Sequence, residues 1–172
     1  MTITELNTAT ASEAYHFFEQ TCAASAWVSR MVASRPFDSA DSVFETASFH
    51  WEAMTEKDFL EAFDAHPMIG DLSTLREKFA NTQAMASSEQ AGTAQANEET
   101  LKALHALNHD YLERHGFIFI ICASGLSAEE MLDALKSRID NPREQEIRNA
   151  AEQQLAITLL RLKRALLTKD SV

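Results

Sequence analysis

His66 has a side chain suited to proton transfer and stands at a position that would present it well. It follows an amphipathic stretch with Phe59, Leu60 and Phe63 on one face, and it precedes Pro67. Since the residue before a proline avoids the α conformation, the helix should end here and hold the imidazole at a rigid corner. An imidazole pKa of about 6.5 suits a general acid or base. The alternative is structural, because a helix-end histidine also binds the last carbonyl groups and complements the dipole.

Glu89 and Arg161 are candidates for binding polar groups and anions. Glu89 stands in S-S-E-Q-A-G, where Ser87 or Ser88 could cap a turn. The polar stretch 81–97 around it is long for a connection, which is typical of functional loops. The carboxylate could equally be an ordinary one favoured near a helix N-terminus. Arg161 could hold an anion through paired N–H donors, or it could be a solvated charge, since its leucine neighbours do not decide where it points.

A third kind of chemistry, metal-dependent hydrolysis, would use His105, His109 and an acid such as Asp110. The two histidines are four residues apart, a spacing that places them on one face of a helix. The segment reads H-A-L-N-H and lacks the glutamate that metalloproteases place after the first histidine. We therefore expect a solvated face and no metal. The sequence also has no phosphate loop, no dinucleotide fingerprint and no cysteine pair at metal spacing.

The elements that position these residues are predicted to be helices. Only four glycines and three prolines occur, nearly all where helices should begin or end, whereas β folds use turn residues at short intervals. The sequence thus predicts an all-α fold of about eight helices. Capping boxes begin at Thr55 and Ser127, and Asn141-Pro142 should open a helix to about Leu167. Other helices are predicted from Ser12 to about Cys22 and over 27–34, 38–54, 71–79 and 97–115. The long C-terminal helix is expected to bury Ile147, Ala151, Leu155, Leu159, Leu162 and Leu166.

Residues 117–123 interrupt this helical pattern. The sequence F-I-F-I-I-C-A between two glycines is β-branched and aromatic, which favours a buried strand. No second strand is predicted with which it could pair. We therefore expect an irregular, extended, buried segment whose backbone N–H and C=O groups need other partners, such as a ligand.

Composition bounds the class of protein. A chain of 172 residues predicts one domain. The net charge of −11 and pI of about 4.9 argue against nucleic acid and anionic membranes as partners. Two cysteines are too few for a disulfide framework, and no apolar run approaches the roughly 20 residues of a membrane helix. No signal peptide is recognisable, so a cytoplasmic protein is expected.

Four strings occur in the order and spacing of a known family. They are F-D-A-H-P-M-I-G-D from 63, S-S-E-Q-A-G from 87, L-x-x-L-N-x-x-Y-x-x-x-x-G-F-x-F-I-I-C-A-S-G from 104 and I-T-L-L-R-L from 157. In these motifs the sequence resembles the 2-oxo-4-hydroxy-4-carboxy-5-ureidoimidazoline (OHCU) decarboxylase family of urate degradation. The resemblance implies an all-helical single domain over residues 1–172 that forms a homodimer. It also implies that OHCU, an anionic small molecule, is converted to (S)-allantoin with no metal and no organic cofactor.

The resemblance also assigns roles to individual residues. His66 matches the catalytic histidine, Glu89 the catalytic carboxylate and Arg161 the substrate-binding arginine. The residues that match the substrate-binding positions are Pro67, Ser87, Ser88, Gln90, Phe119, Ile120, Ile121, Cys122 and Ala123. Met68 and Ile118 depart from the arginine and proline that many members have there. The alternative function is a non-enzymatic helical module that binds a partner protein, which would explain neither the Glu89 loop nor segment 117–123.

Overall fold

The computed structural model describes residues 1–67 and 91–170, of which 91–97 and 167–170 are described by their backbone alone. These residues form eight α-helices and no strand, so the all-α prediction is confirmed. Within the same residues, no helix combines the length and the apolar character needed to cross a membrane. The helices are α1 Ile3–Thr8, α2 Ala11–Glu19, α3 Ser25–Ala33, α4 Ala40–Glu52, α5 Glu56–Asp64, α6 Ala91–His115, α7 Ala128–Arg138 and α8 Arg143–Asp170.

Side-chain caps set most of the helix starts. The predicted capping boxes at Thr55 and Ser127 are present. Two more capping boxes begin α1 at Thr2 and α2 at Thr10. In each, the carboxylate of a glutamate three residues later accepts a hydrogen bond from the N–H of the cap residue. The predicted start at Ser12 was therefore wrong by two residues, because Thr10 rather than Ser12 supplies the cap.

Helix α6 begins at Ala91, six residues before the predicted start at Asn97. The earlier residues lack an apolar stripe but include three alanines, and alanine has the highest helix propensity. The helix ends as predicted, with Gly116 at a positive φ of 80°, a conformation that costs glycine little. The predicted helix 71–79 and the rest of the predicted loop, 81–90, lie outside the described residues.

The described contacts divide the chain into two compact units. The first is Met1–Ala65 with Asn149–Val172, and its core contains both tryptophans. Trp27 donates from Nε1 to the Ala47 carbonyl at 3.1 Å, and Trp51 donates to Ala151 at 2.9 Å. Each buried indole thus keeps a partner for its one polar atom.

The buried face of α8 differs from the predicted leucine stripe. Ile147, Ala151, Leu162 and Leu166 are buried as predicted, whereas Leu155 and Leu159 are only half-buried. Their places in the buried row are taken by Gln154 and Thr158. The side-chain amide of Gln154 donates to Thr158 Oγ1 at 3.1 Å, and the Thr158 hydroxyl donates to the main-chain carbonyl of Gln154 at 2.9 Å. The polar pair is buried because its members satisfy each other.

The second unit is His66–Arg148. Helix α6 packs against α7 in this unit, and the segment 117–123 connects the end of one to the start of the other. Its core residues are Leu101, Leu104, Tyr111, Phe117, Ile120, Met131 and Leu135.

Candidate active site

His66 lies just beyond the C-terminal end of α5. The helix ends at Asp64, and the N–H of Ala65 still bonds to the Ala62 carbonyl at 3.3 Å. His66 is half-buried and Pro67 is exposed. The predicted helix end before Pro67 is thus confirmed, while the catalytic role of His66 stays a prediction.

The predicted carboxylate segment lies outside the described residues. This applies to Glu89 and to its predicted substrate-binding neighbours Ser87, Ser88 and Gln90. Met68, one of the two departures from the family motif, lies there as well. Their roles remain predictions from the resemblance.

Residues 117–123 belong to no helix or strand, with Phe117 in a bend, so the prediction of an irregular segment is confirmed. Burial is uneven along it, with Phe117 and Ile120 buried and the other five residues half-buried. Within the described residues, the backbone N–H and C=O groups of Phe119 and Ile121 have no hydrogen-bond partner. Backbone groups in this position are available to a ligand.

Arg138, at the end of α7, holds this segment in place. Its Nη1 donates to the Ile120 carbonyl at 2.8 Å, and its guanidinium carbon lies 4.5 Å from the centre of the Phe119 ring. Its Nε donates to Glu146 Oε1 at 2.9 Å, a salt bridge in which the Glu146 side chain has no solvent exposure. The guanidinium therefore joins α8 to the segment.

Glu146 accepts two further hydrogen bonds in the same unit. Tyr111 donates its hydroxyl to Oε1 at 2.6 Å, and Asn141 donates to Oε2 at 2.9 Å. Burial of Tyr111, followed by its hydrogen bond to the Glu146 carboxylate, raises the pKa of the phenol far above its usual 10.0. Tyr111 is thus a neutral donor at any working pH.

This network was not identified from the sequence. Glu146 stands in the first turn of α8, where an acidic residue is ordinarily an exposed complement to the helix dipole. Its partners Tyr111 and Arg138 are 35 and 8 residues away. The available signal was Tyr111 itself, since a tyrosine on an apolar helix face needs a partner for its hydroxyl when buried.

Arg161 lies in the first unit, on α8. It is exposed, and its Nη1 donates to the carbonyl of Thr21 at 3.3 Å. Thr21 follows the C-terminal end of α2, and its own hydroxyl donates to the Phe18 carbonyl at 2.7 Å. The guanidinium is therefore held on one edge by a backbone group.

The residue after Thr21 is a buried thiol. Cys22 hydrogen-bonds Thr158, one turn before Arg161 on α8, and burial raises the pKa of the thiol from 9.0 to about 11. Nearby Arg161 lowers this pKa by less than burial raises it. Cys22 is thus a neutral packing residue rather than a nucleophile.

The histidine pair of the metal alternative lies on α6. The rings of His105 and His109 are 4.8 Å apart, edge to face. His109 and Asp110 are exposed, but His105 is half-buried, so the expectation that both histidines are solvated was wrong for His105. Within the described residues, no group of three or more histidine, cysteine, aspartate or glutamate side chains is arranged to hold a metal ion.

The described residues form an all-α structure in which His66 follows a helix end and Arg138 anchors the irregular segment 117–123. This combination is of a type found in a known enzyme family. Residues 7–163 match the family described as OHCU decarboxylase. Because this match covers most of the 172 residues, the chain belongs to the OHCU decarboxylase family.

Individual relatives agree with this assignment. The chain is 35% identical over 153 residues to the "Uric acid degradation bifunctional protein TTL" of Arabidopsis thaliana, matching 88% of this chain but 47% of that protein. It is 29% identical to the "2-oxo-4-hydroxy-4-carboxy-5-ureidoimidazoline decarboxylase" of Haloferax volcanii, covering 80% of each. The chain thus spans about half of the plant relative, and 32% of a similar bifunctional protein from a Bacillus species.

Solved structures share the fold. A crystal structure of OHCU decarboxylase in the presence of (S)-allantoin is 34% identical, with a TM-score of 0.68, and the match covers 86% of this chain and 95% of that one. A crystal structure of (S)-allantoin synthase has the same TM-score at 18% identity, which speaks for the fold alone.

The raised pKa of Cys22 predicts a specific loss of stability in alkali. The folded state keeps the proton up to about pH 11, whereas the unfolded thiol releases it near pH 9.0. The contribution is complete below pH 9 and is lost as the pH rises to 11, by about 3 kcal/mol in the free energy of unfolding. Denaturant unfolding from pH 8 to 11 should show this decline in the parent and in Cys122→Ser, and a smaller one in Cys22→Ser. Equal declines in all three would show that burial does not perturb Cys22.

Proposed function

We propose that this chain catalyses the decarboxylation of OHCU to (S)-allantoin in urate degradation. The observation that carries the proposal is the likeness to the OHCU decarboxylase solved in the presence of (S)-allantoin, of which the match covers 95% at 34% identity. The Haloferax volcanii relative, named for the same reaction, supports it over 80% of its length.

The substrate supplies its own electron sink. Its carboxylate is attached to a carbon that bears a hydroxyl and adjoins a C=N bond. When the C–C bond breaks and CO2 leaves, the electron pair flows toward the imine nitrogen and forms an enol-like intermediate. The imine nitrogen takes up one proton from solvent, the hydroxyl proton is transferred to the neighbouring carbon, and the hydroxyl oxygen becomes a carbonyl. The reaction therefore needs no cofactor to accept electrons, and the protein must orient the substrate and move protons.

His66 is the residue we assign to proton transfer. Its half-buried position beyond α5 fits a side chain that meets both protein and ligand. We infer that its imidazole carries the proton from the substrate hydroxyl to the neighbouring carbon, the former imine carbon. Delivery to one face of that carbon would produce a single enantiomer. Glu89 is assigned to the ring or ureido N–H groups, where a carboxylate is a strong acceptor.

Arg161 and the backbone of 119–123 are assigned to substrate binding. With a net charge of −11, the chain needs a local cation to hold an anionic ligand. One edge of the Arg161 guanidinium bonds to Thr21, which leaves donors for substrate oxygens. Binding the departing carboxylate too tightly would stabilise the ground state, so an oxygen that gains charge during the reaction is the better target.

The proposal extends to the setting of the enzyme. We propose one functional domain, because the family match at 7–163 includes residues of both units. The resemblance supports a homodimer, which light scattering would test. Both cysteines are among the described residues and neither forms a disulfide, which supports a reducing compartment such as the cytoplasm.

Turnover without metal is the first test of this function. Chelator-treated protein should convert freshly generated OHCU to optically active allantoin, because the substrate contains the electron sink. Formation of allantoin would be followed by circular dichroism beside an enzyme-free reaction, which should give racemic product. Turnover that is abolished by the chelator and restored by zinc would favour the metal-dependent alternative. Absence of turnover under all conditions would favour the non-enzymatic module.

Replacing His66 separates a catalytic from a structural role. His66→Gln should lower kcat at least ~100-fold, the lower end for a positioned acid–base group. The melting temperature should change little, because a histidine at a helix end contributes only about 0.3–1 kcal/mol. The matched control is His109→Gln, an exposed histidine of α6 that should keep parental kinetics. A fully active His66→Gln variant would return His66 to a structural role.

Replacing Arg161 tests anion binding. Arg161→Lys keeps the charge but loses the planar pair of donors. The loss of a charge-assisted hydrogen bond should lower kcat/KM about 10- to 100-fold. The control is Lys163→Arg, an exposed neighbour whose Nζ lies 5.8 Å from the Phe44 ring. If both variants match the parent in kcat/KM and melting temperature, Arg161 is a solvated charge.

A further inference from the structure

We propose that Arg138 is a positioning residue that sets the substrate-binding segment 119–123 in its working geometry, a role that rests on the proposed function. Its guanidinium meets the segment in two ways. Nη1 donates to the Ile120 carbonyl at 2.8 Å, and Cζ lies 4.5 Å from the centre of the Phe119 ring. One contact fixes a backbone group and the other fixes the preceding side chain. Together they define where the segment lies and how it is turned.

Arg138 is itself held by groups that cannot easily move. Glu146 accepts from its Nε and also binds Tyr111 and Asn141, so the carboxylate is fixed from three sides. The Tyr111 ring also packs edge-on against Phe119 at 5.3 Å. Phe119 thus contacts both the Tyr111 ring and the Arg138 guanidinium, which restricts its side chain.

Stability alone does not account for this arrangement. Glu146 is fully buried and the Arg138 side chain is 12% exposed, so both charges have lost most of their hydration. Among the described residues, Arg138 Nη2 is also buried without a hydrogen-bond partner, which is unfavourable. An apolar pair of similar volume often stabilises a protein as well as a buried ion pair does. An apolar pair could not, however, donate to the Ile120 carbonyl.

In the segment that Arg138 anchors, some backbone N–H and C=O groups have no hydrogen-bond partner within the described residues. Ile120 is bonded through its carbonyl, while the adjacent Phe119 and Ile121 have no backbone hydrogen bond within the described residues. Fixing the central residue therefore orients the groups on either side of it. A backbone donor or acceptor contributes more to binding when its position is set before the ligand arrives, because less ordering entropy is then lost.

The decisive variant is Arg138→Lys, which keeps the charge but cannot bond Glu146 and Ile120 with the same fork. We expect kcat/KM for OHCU to fall about 10- to 100-fold, mainly through a higher KM, because ground-state and transition-state binding are weakened together. Amide hydrogen exchange of 118–122 should be faster than in the parent. The matched control is Arg114→Lys, an exposed arginine that donates to the Asp140 carbonyl at 3.2 Å. It should keep parental kinetics and exchange.

A second variant separates positioning from stability. Arg138→Met with Glu146→Gln removes both charges and leaves an acceptor for Tyr111, so the fold should keep a melting temperature close to that of the parent. Loss of kcat/KM and faster exchange at 118–122 in this stable variant would support the positioning role. Parental kcat/KM in either Arg138 variant would overturn it. So would a variant whose kcat/KM returns to the parental value once the assay temperature is below its melting transition, because the loss would then come from unfolding alone. Absence of turnover in the parent would instead overturn the proposed function, and the positioning role with it.

Discussion

The carboxylate of Glu146 has no contact with solvent and depends on three donors for its charge to be tolerated. Tyr111 comes from α6, Arg138 from α7 and Asn141 from the connection before α8, so one acidic group joins every described helix of the second unit. Burying a carboxylate without such partners would cost several kcal/mol. The ends of these helices and the segment between them are therefore fixed by one electrostatic requirement, and the geometry of 117–123 follows from it.

This requirement explains how a β-favouring sequence is accommodated in a helical protein. Phe117-to-Ala123 has the composition of a strand, but no described neighbour offers it a ladder. Apolar burial is supplied by Phe117 and Ile120, while side-chain donors replace part of the missing ladder. Arg143 adds to this at the start of the segment, where its Nε donates to the His115 carbonyl at 3.1 Å. The same arrangement leaves the backbone groups of Phe119 and Ile121 without a hydrogen-bond partner within the described residues.

The sequence was informative where local rules decide the structure and uninformative where distant partners do. The capping boxes at Thr55 and Ser127, the helix end before Pro67 and the end of α6 at His115 depend on neighbouring residues and were predicted. Buried Gln154 was missed, because its burial depends on hydrogen-bond partners such as Thr158 that the sequence pattern does not reveal. Glu146 was missed for the same reason. Of the candidate site, residue types and order could be read from motifs, whereas the anchoring of the segment could not.

The environment of Arg161 shows how a chain with a net negative charge can keep the positive charge of one guanidinium from being cancelled by its own carboxylates. A carboxylate partner would cancel the charge and compete with an anionic ligand, whereas a backbone carbonyl orients the guanidinium and leaves its net charge in place. The Thr21 carbonyl has this role here, since it accepts from Arg161 Nη1 at 3.3 Å. Arg138 follows the opposite rule, since its charge is matched by Glu146 and is used for geometry. The two arginines therefore differ in their partners: Arg138 is bonded to a carboxylate, which balances its charge, whereas Arg161 is bonded to a carbonyl, which leaves its positive charge in place. Under the proposed function, the first guanidinium positions the backbone and the second binds the anionic substrate.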